Sequence, residues 1–140
     1  MRTATDLASL WSGLLLRIAK HWIAGETFED AKARARQSNV HNVRGMINLL
    51  GEETTDREET TVATAEYVEI LKELQTSGIQ SCISVKPTQL GLAIDKSLFK
   101  ENLDRILSSA RSLGNFVWMD MEGSPFTADT VDSYLEFRKR

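Results

Sequence analysis

Residues 78–91 read GIQSCISVKPTQLG, and the rest of the chain can be divided into elements outward from this stretch. Apolar and small polar residues alternate after the glycine until Lys86, which stands directly before Pro87. Proline has no backbone N–H and therefore interrupts the hydrogen-bonded ladder of a sheet. The pattern predicts a buried β-strand over 79–86 that ends on an ionisable side chain.

The same arrangement occurs twice more. VRGMINLL (43–50) precedes Glu52, and NFVWMDM (115–121) contains Asp120 within an otherwise apolar run. Longer amphipathic segments with helical spacing lie at 56–78, 97–114 and 127–140. Strands that alternate with helices of this length indicate βα units around a parallel sheet, so the predicted fold class is α/β.

The expected helix ends follow from capping chemistry. Asp56 and Thr127 are predicted N-caps, and Gly78 and Gly114 are predicted stops because glycine readily adopts left-handed backbone conformations. Two further helices are expected near the N-terminus, at 6–21 and, after the N-cap Thr27, at 28–38. We therefore divide the chain into an N-terminal helical segment, 1–42, and three βα units, 43–140.

Composition limits the classes of function. The chain has 140 residues, enough for one domain, and its net charge of −3 gives no reason to expect nucleic acid as a partner. Cys82 is the only cysteine, which excludes an internal disulfide and suits a reducing, cytoplasmic compartment; we expect it to be a small buried hydrophobe. His21 and His41 lack metal-ligand spacing, and no apolar run is long enough for a transmembrane segment.

Side chains alternate between the two faces of a strand, so residue parity shows which ionisable groups share a face. Parity places Asn48, Lys86 and Asp120 on the face opposite the helices, near the carboxyl ends of the strands. Glu52, in the loop after the first strand, is positioned to add a third charge. Strand ends also carry charges merely because they meet water, but the shared parity favours a site, and α/β proteins build their sites at this edge.

Four segments resemble the N-terminal part of the proline dehydrogenase family: WIAGETFEDA, INLLGEETT, ISVKPTQLGLAID and VWMDMEGSPFT. The resemblance implies a flavin-dependent (β/α)8 barrel that oxidises L-proline to Δ1-pyrroline-5-carboxylate with FAD. It implies that Lys86 helps to hold the substrate carboxylate and that Asp120 lies beside proline and the flavin. Glu52 matches an acidic residue that closes over the substrate by pairing with arginines of the last barrel helix.

The sequence departs from the family pattern at three positions. Asn48 and Gly123 stand where aspartates are usual, and Pro87 follows the lysine directly. A (β/α)8 barrel takes about 250 residues, so three βα units amount to a partial TIM-type barrel. We therefore expect an N-terminal or truncated part of the enzyme, with little proline oxidation and weak FAD binding on its own.

Several alternatives stay open at this point. Either the chain is a truncated product, or it completes its barrel with the missing half or as a homo-oligomer, because open parallel edges invite pairing. It could instead act as a non-catalytic partial barrel that binds itself or a partner, or as a carboxylate-binding module that uses only Lys86. Peripheral contact with a membrane is compatible with the family resemblance.

Overall fold

A computed structural model describes residues 23–25 and 27–138. The helix expected at 6–21 lies outside the described residues. The elements in chain order are α1 (Phe28–Val40), β1 (Gly45–Ile47), α2 (Arg57–Ser77), β2 (Ser81–Val85), α3 (Lys96–Ser112), β3 (Val117–Met119), a 3-10 turn (Ser124–Phe126) and α4 (Thr127–Phe137).

The sheet is parallel, as the strand–helix alternation predicts. Its three strands lie in the order β1-β2-β3, each next to its neighbour in sequence. Met46 of β1 pairs with Cys82 of β2, and Ser84 of β2 pairs with Trp118 of β3. The carboxyl ends of all three strands therefore meet along one edge of the sheet.

Most of the predicted helix ends are confirmed. Thr27 and Asp30 form a reciprocal capping box at the start of α1, and Asp56 accepts from the Glu58 N–H at the start of α2. Gly78 ends α2 with φ 65°, the left-handed conformation that favours glycine. The prediction for Thr127 is wrong: it is the first residue of α4, which continues from the 3-10 turn without a side-chain cap.

The strands are shorter than the predicted runs of seven or eight residues. After β1, the Leu49 N–H donates to the hydroxyl of Tyr67 on α2 instead of a carbonyl of β2. After β2, the Lys86 carbonyl accepts from the N–H groups of Gln89 and Leu90, which turns the chain directly after Pro87. A tertiary contact after β1 and a local turn after β2 thus remove these backbone groups from the sheet.

The core lies between the sheet and the helices on one of its faces. Ile47, Ile83 and Val85 point into it, and its largest fully buried side chains include Tyr67 and Phe99. Two lysines of α3 tie α4 to this layer, since Lys96 pairs with Asp129 at 2.5 Å and Lys100 with Glu136 at 2.7 Å. No helix in the described ranges has the length and apolar character needed to cross a membrane.

On the opposite face of the sheet, the described residues leave several large apolar side chains exposed. Met46, Phe116 and Trp118 lie on it with 59%, 60% and 54% of their surface exposed, and the two rings meet edge to face at 5.2 Å. Cys82 also lies on this face and is only half-buried, so the expectation of a buried thiol is wrong. It points away from the helical layer because its parity is that of Lys86 rather than that of Ile83.

Candidate functional site

Lys86 and Glu52 form an ion pair at the carboxyl edge of the sheet. The Lys86 Nζ lies 2.5 Å from a Glu52 carboxylate oxygen, with 27% of the lysine side chain and 63% of the glutamate side chain exposed. Lys86 is the first residue after β2, and Glu52 stands in the loop after β1. The structure therefore brings together two of the residues that the sequence singled out.

Asp120 is the first residue after β3, at the same level as Lys86 after β2. Its N–H donates to the Val85 carbonyl at 3.0 Å, so the ladder between β2 and β3 extends one step and sets Asp120 beside Lys86. The Ser84 hydroxyl donates to the Asp120 carboxylate, and the Asn48 amide donates to the Ser84 carbonyl at 3.0 Å. All of these side chains belong to the face of the sheet opposite the helices or to its edge.

The nearby carboxylates change the protonation equilibrium of Lys86. The pKa of Lys86 is raised, first by its hydrogen bond to Glu52 and further by the negative charges of Glu122 and Asp120, while partial burial opposes the shift. The site combines one cation with several carboxylates, an arrangement suited to a small zwitterion. Among residues 23–25 and 27–138, no three His, Cys, Asp or Glu side chains form a group that could hold a metal ion.

A buried threonine links the three strand-end loops. The Thr88 hydroxyl donates to one Glu122 carboxylate oxygen at 2.6 Å and accepts from the Glu53 N–H at 2.8 Å. The Thr88 N–H donates to the other Glu122 oxygen at 2.7 Å. Glu53, Thr88 and Glu122 belong to the loops after β1, β2 and β3, respectively.

A second polar cluster lies beneath this edge. The Tyr67 hydroxyl donates to the Gln89 side-chain oxygen at 3.1 Å while it accepts from the Leu49 N–H at 3.2 Å. Burial raises the pKa of Tyr67 to about 12, with a smaller contribution from the Asp120 charge. Tyr67 and Gln89 therefore hold the start of the loop that carries Glu52.

The sequence interpretation did not assign a role to Ser84, Tyr67, Thr88, Gln89 or Glu122. Some signals were available: Ser84 shares its parity with Lys86, and Thr88 and Gln89 stand in the same SVKPTQLG run. Tyr67 stands on the apolar stripe of a helix, where a hydroxyl needs a buried partner. The partners themselves follow only from the way the three loops meet.

Comparison with known proteins supports the family resemblance. Proline dehydrogenase 2 of Bacillus subtilis is 30% identical over 138 residues, which cover 92% of this chain and 46% of that protein. Proline dehydrogenase of Deinococcus radiodurans is 26% identical over 120 residues, which cover 84% of this chain and 39% of that protein. The chain thus spans about half, or less, of the length of these curated relatives.

A solved structure shares the fold. Proline utilization A (PutA) from Bdellovibrio bacteriovorus, inactivated by N-propargylglycine, superposes with a TM-score of 0.83 and 19% identity over 96% of this chain and 16% of that chain. No family model matches the sequence. The resemblance to the proline dehydrogenase family, an oxidoreductase family, is confirmed by the relatives that share its name.

Proposed function

We propose, from the confirmed resemblance to proline dehydrogenases, that this chain forms the first three βα units of a flavin-dependent (β/α)8 barrel whose strand-end site binds L-proline. The observation that carries the proposal is the Lys86 ammonium at 2.5 Å from the Glu52 carboxylate, with Asp120 directly after the adjoining strand. Proline carries one carboxylate and one secondary ammonium. A neighbouring cation and anion match those two charges.

Each residue takes a role that its surroundings support. Lys86 binds the proline carboxylate, and Asp120 faces the proline amine while the Ser84 hydroxyl fixes the orientation of its carboxylate. Glu52 already occupies Lys86 with a carboxylate of its own. Proline must therefore displace Glu52, which then becomes available to close over the substrate by pairing with another cation.

FAD is the proposed cofactor and, when bound, would take up the hydride equivalents that leave proline. The face of the sheet opposite the helices fits the flavin ring, because exposed Met46, Phe116 and Trp118 form an apolar surface beside the charged edge. The diphosphate has a poorer match, since the sequence contains no GxGxxG phosphate loop. We therefore expect this chain to supply the proline side of the site and to bind FAD weakly by itself.

The test is a titration of the 140-residue chain with L-proline, followed by two-dimensional amide NMR. The expected shifts are confined to Lys86, Asp120 and their neighbours, with a dissociation constant of about millimolar for a half-built site. Lys86→Met should abolish them, whereas Lys100→Met removes a lysine paired with Glu136 on α4 and should not. Shifts that survive Lys86→Met, or no shifts at saturating proline, contradict the proposal.

A second candidate function is a non-catalytic partial barrel that binds a further copy or a partner. The exposed Met46, Phe116 and Trp118 favour it, because an apolar surface of this kind is uncommon on a face that stays in water. Both outer strands, β1 and β3, also present an edge that no other strand pairs within the described residues. Concentration-dependent association without any effect of proline would favour this candidate over the first.

A further inference from the structure

Thr88 is a buried residue next to the proposed proline site to which no role has been assigned so far. It is fully buried, two residues beyond Lys86, and its hydroxyl is used both as donor and as acceptor. The donor bond runs to Glu122 and the acceptor bond comes from Glu53. A single side chain thereby connects the loops that follow all three described strands.

Each of these contacts lies close in sequence to a proposed site residue. Glu53 follows Glu52, Thr88 stands two residues after Lys86, and Glu122 stands two residues after Asp120. Thr88 and Glu122 both lie in the loops beyond the strands, and the Thr88 N–H and hydroxyl contact the Glu122 carboxylate there. A shift of the loop after β2 or of the loop after β3 would therefore alter the spacing between the segments that carry Lys86 and Asp120.

The contact to Glu53 has a further consequence for the loop after β1. Glu53 has φ 52°, a left-handed conformation that is uncommon for a residue other than glycine. Its N–H donates to Thr88 at 2.8 Å, and this bond helps to hold the unfavourable backbone. The loop conformation in turn directs the preceding side chain, Glu52, towards Lys86.

We propose that Thr88, together with Glu122, is the positioning residue that holds Glu52, Lys86 and Asp120 in one constellation. The role of that constellation in proline binding rests on the proposed function, but the positioning itself does not. Loss of the Thr88 hydroxyl leaves the Glu53 N–H unpaired and removes one of the two bonds that Glu122 makes to Thr88. The loop after β1 then separates from β2, and Lys86 loses its closest carboxylate.

The test compares Thr88→Val, which keeps the side-chain shape without the hydroxyl, with Thr88→Ser, which keeps the hydroxyl. The readout is the rate at which acetic anhydride acylates each lysine of the 140-residue chain at fixed neutral pH, measured by peptide mass spectrometry. Only the neutral amine reacts, so loss of the Glu52 contact, which lowers the Lys86 pKa, increases the rate. Lys100, paired with Glu136 at 2.7 Å, is the internal reference.

We expect Thr88→Val to raise the Lys86 rate by about threefold to tenfold, because loss of the Glu52 hydrogen bond lowers the Lys86 pKa and leaves more of the amine neutral. Thr88→Ser should stay within about twofold of the parent chain because it keeps the hydroxyl, and the Lys100 rate should not change in either variant. A Lys86 rate unaffected by Thr88→Val, or a serine variant that reacts like the valine variant, overturns the proposal.

Folding is checked in the same experiment. If Thr88→Val unfolds the chain, Lys100 also reacts faster, and Thr88→Ala then decides, because it leaves room for water beside Glu122. A rise at Lys86 alone supports positioning, and no rise overturns it. Acylation needs neither proline nor FAD, so an intact positioning effect combined with failed proline binding would refute only the proposed function.

Discussion

Replacement of Tyr67 by phenylalanine tests how the helical layer holds the edge of the sheet that carries the site. Tyr67 is completely buried, and its hydroxyl has two partners, the Gln89 side chain and the Leu49 N–H. Tyr67→Phe removes the hydroxyl and leaves the Gln89 side-chain oxygen and the Leu49 N–H without this partner. A buried polar group left unpaired costs about 1–3 kcal/mol; Leu49 is only half-buried and can bind water, so we expect about 2 kcal/mol at pH 8.

The pH dependence gives this prediction a distinctive form. The pKa of Tyr67 is raised from 10.0 to about 12 in the folded chain, mainly by burial. Its contribution to stability is therefore complete below pH 10 and is lost as the pH rises towards 12, because only the unfolded chain releases the proton in this range. By pH 11 the parent chain should lose about 1.4 kcal/mol that Tyr67→Phe cannot lose.

The assay is urea unfolding at pH 8 and pH 11, followed by far-ultraviolet circular dichroism. The deficit of Tyr67→Phe relative to the parent chain should shrink from about 2 to about 0.6 kcal/mol between the two pH values. Tyr134→Phe is the matched control, since that ring is 53% exposed, and should change stability by less than about 0.5 kcal/mol. Equal deficits at both pH values would refute the assigned pKa shift, and no deficit at pH 8 would refute the hydrogen-bond argument.

Three other predictions concern the sheet and the site. A Cβ at Gly45 would lie 2.5 Å from the Ser81 hydroxyl oxygen, so Gly45→Ala should lower the free energy of unfolding in urea by about 1–3 kcal/mol. Adding Ser81→Ala should recover most of this loss, whereas purely additive effects of the two substitutions would contradict the clash. Glu52→Gln should tighten proline binding to the isolated chain in the NMR titration, because the neutral amide competes less well for Lys86, and weaker binding would show that Glu52 does not block the cation. Trp118→Lys should reduce self-association in sedimentation velocity, since it places a charge on the exposed apolar face. Unchanged association would show that this face is not the surface through which the chains associate.

The parallel sheet and the shared face of the site residues could be predicted because they depend on local rules. Period-two alternation placed Lys86 and Asp120 on one side, and the glycine stops divided the helices from the strands. The structure agrees with this alternation, since Trp118, two residues before Asp120, is exposed and Ile83 is buried. Both rules use only neighbouring residues in the sequence, so they can be applied without knowing the tertiary structure.

Other features depend on contacts between segments that are distant in sequence. Strand β1 ends at Ile47, and the Leu49 N–H beyond it donates to Tyr67, which lies 18 residues further along the chain. The link from Thr88 to Glu122 spans 34 residues and joins two loops whose conformations no local pattern fixes. Such partners are visible only once the parallel sheet has brought the loops together.

The most direct test of the central claim is proline-dependent bleaching of FAD at its visible absorbance band. The 140-residue chain is measured alone and after addition of the complementary half of a proline dehydrogenase, with Lys86→Met and the control Lys100→Met. The account predicts little or no bleaching by the chain alone and clear bleaching with the complement, which Lys86→Met removes and Lys100→Met keeps. Bleaching by the chain alone, or bleaching with the complement that Lys86→Met leaves unchanged, would contradict the proposed proline site.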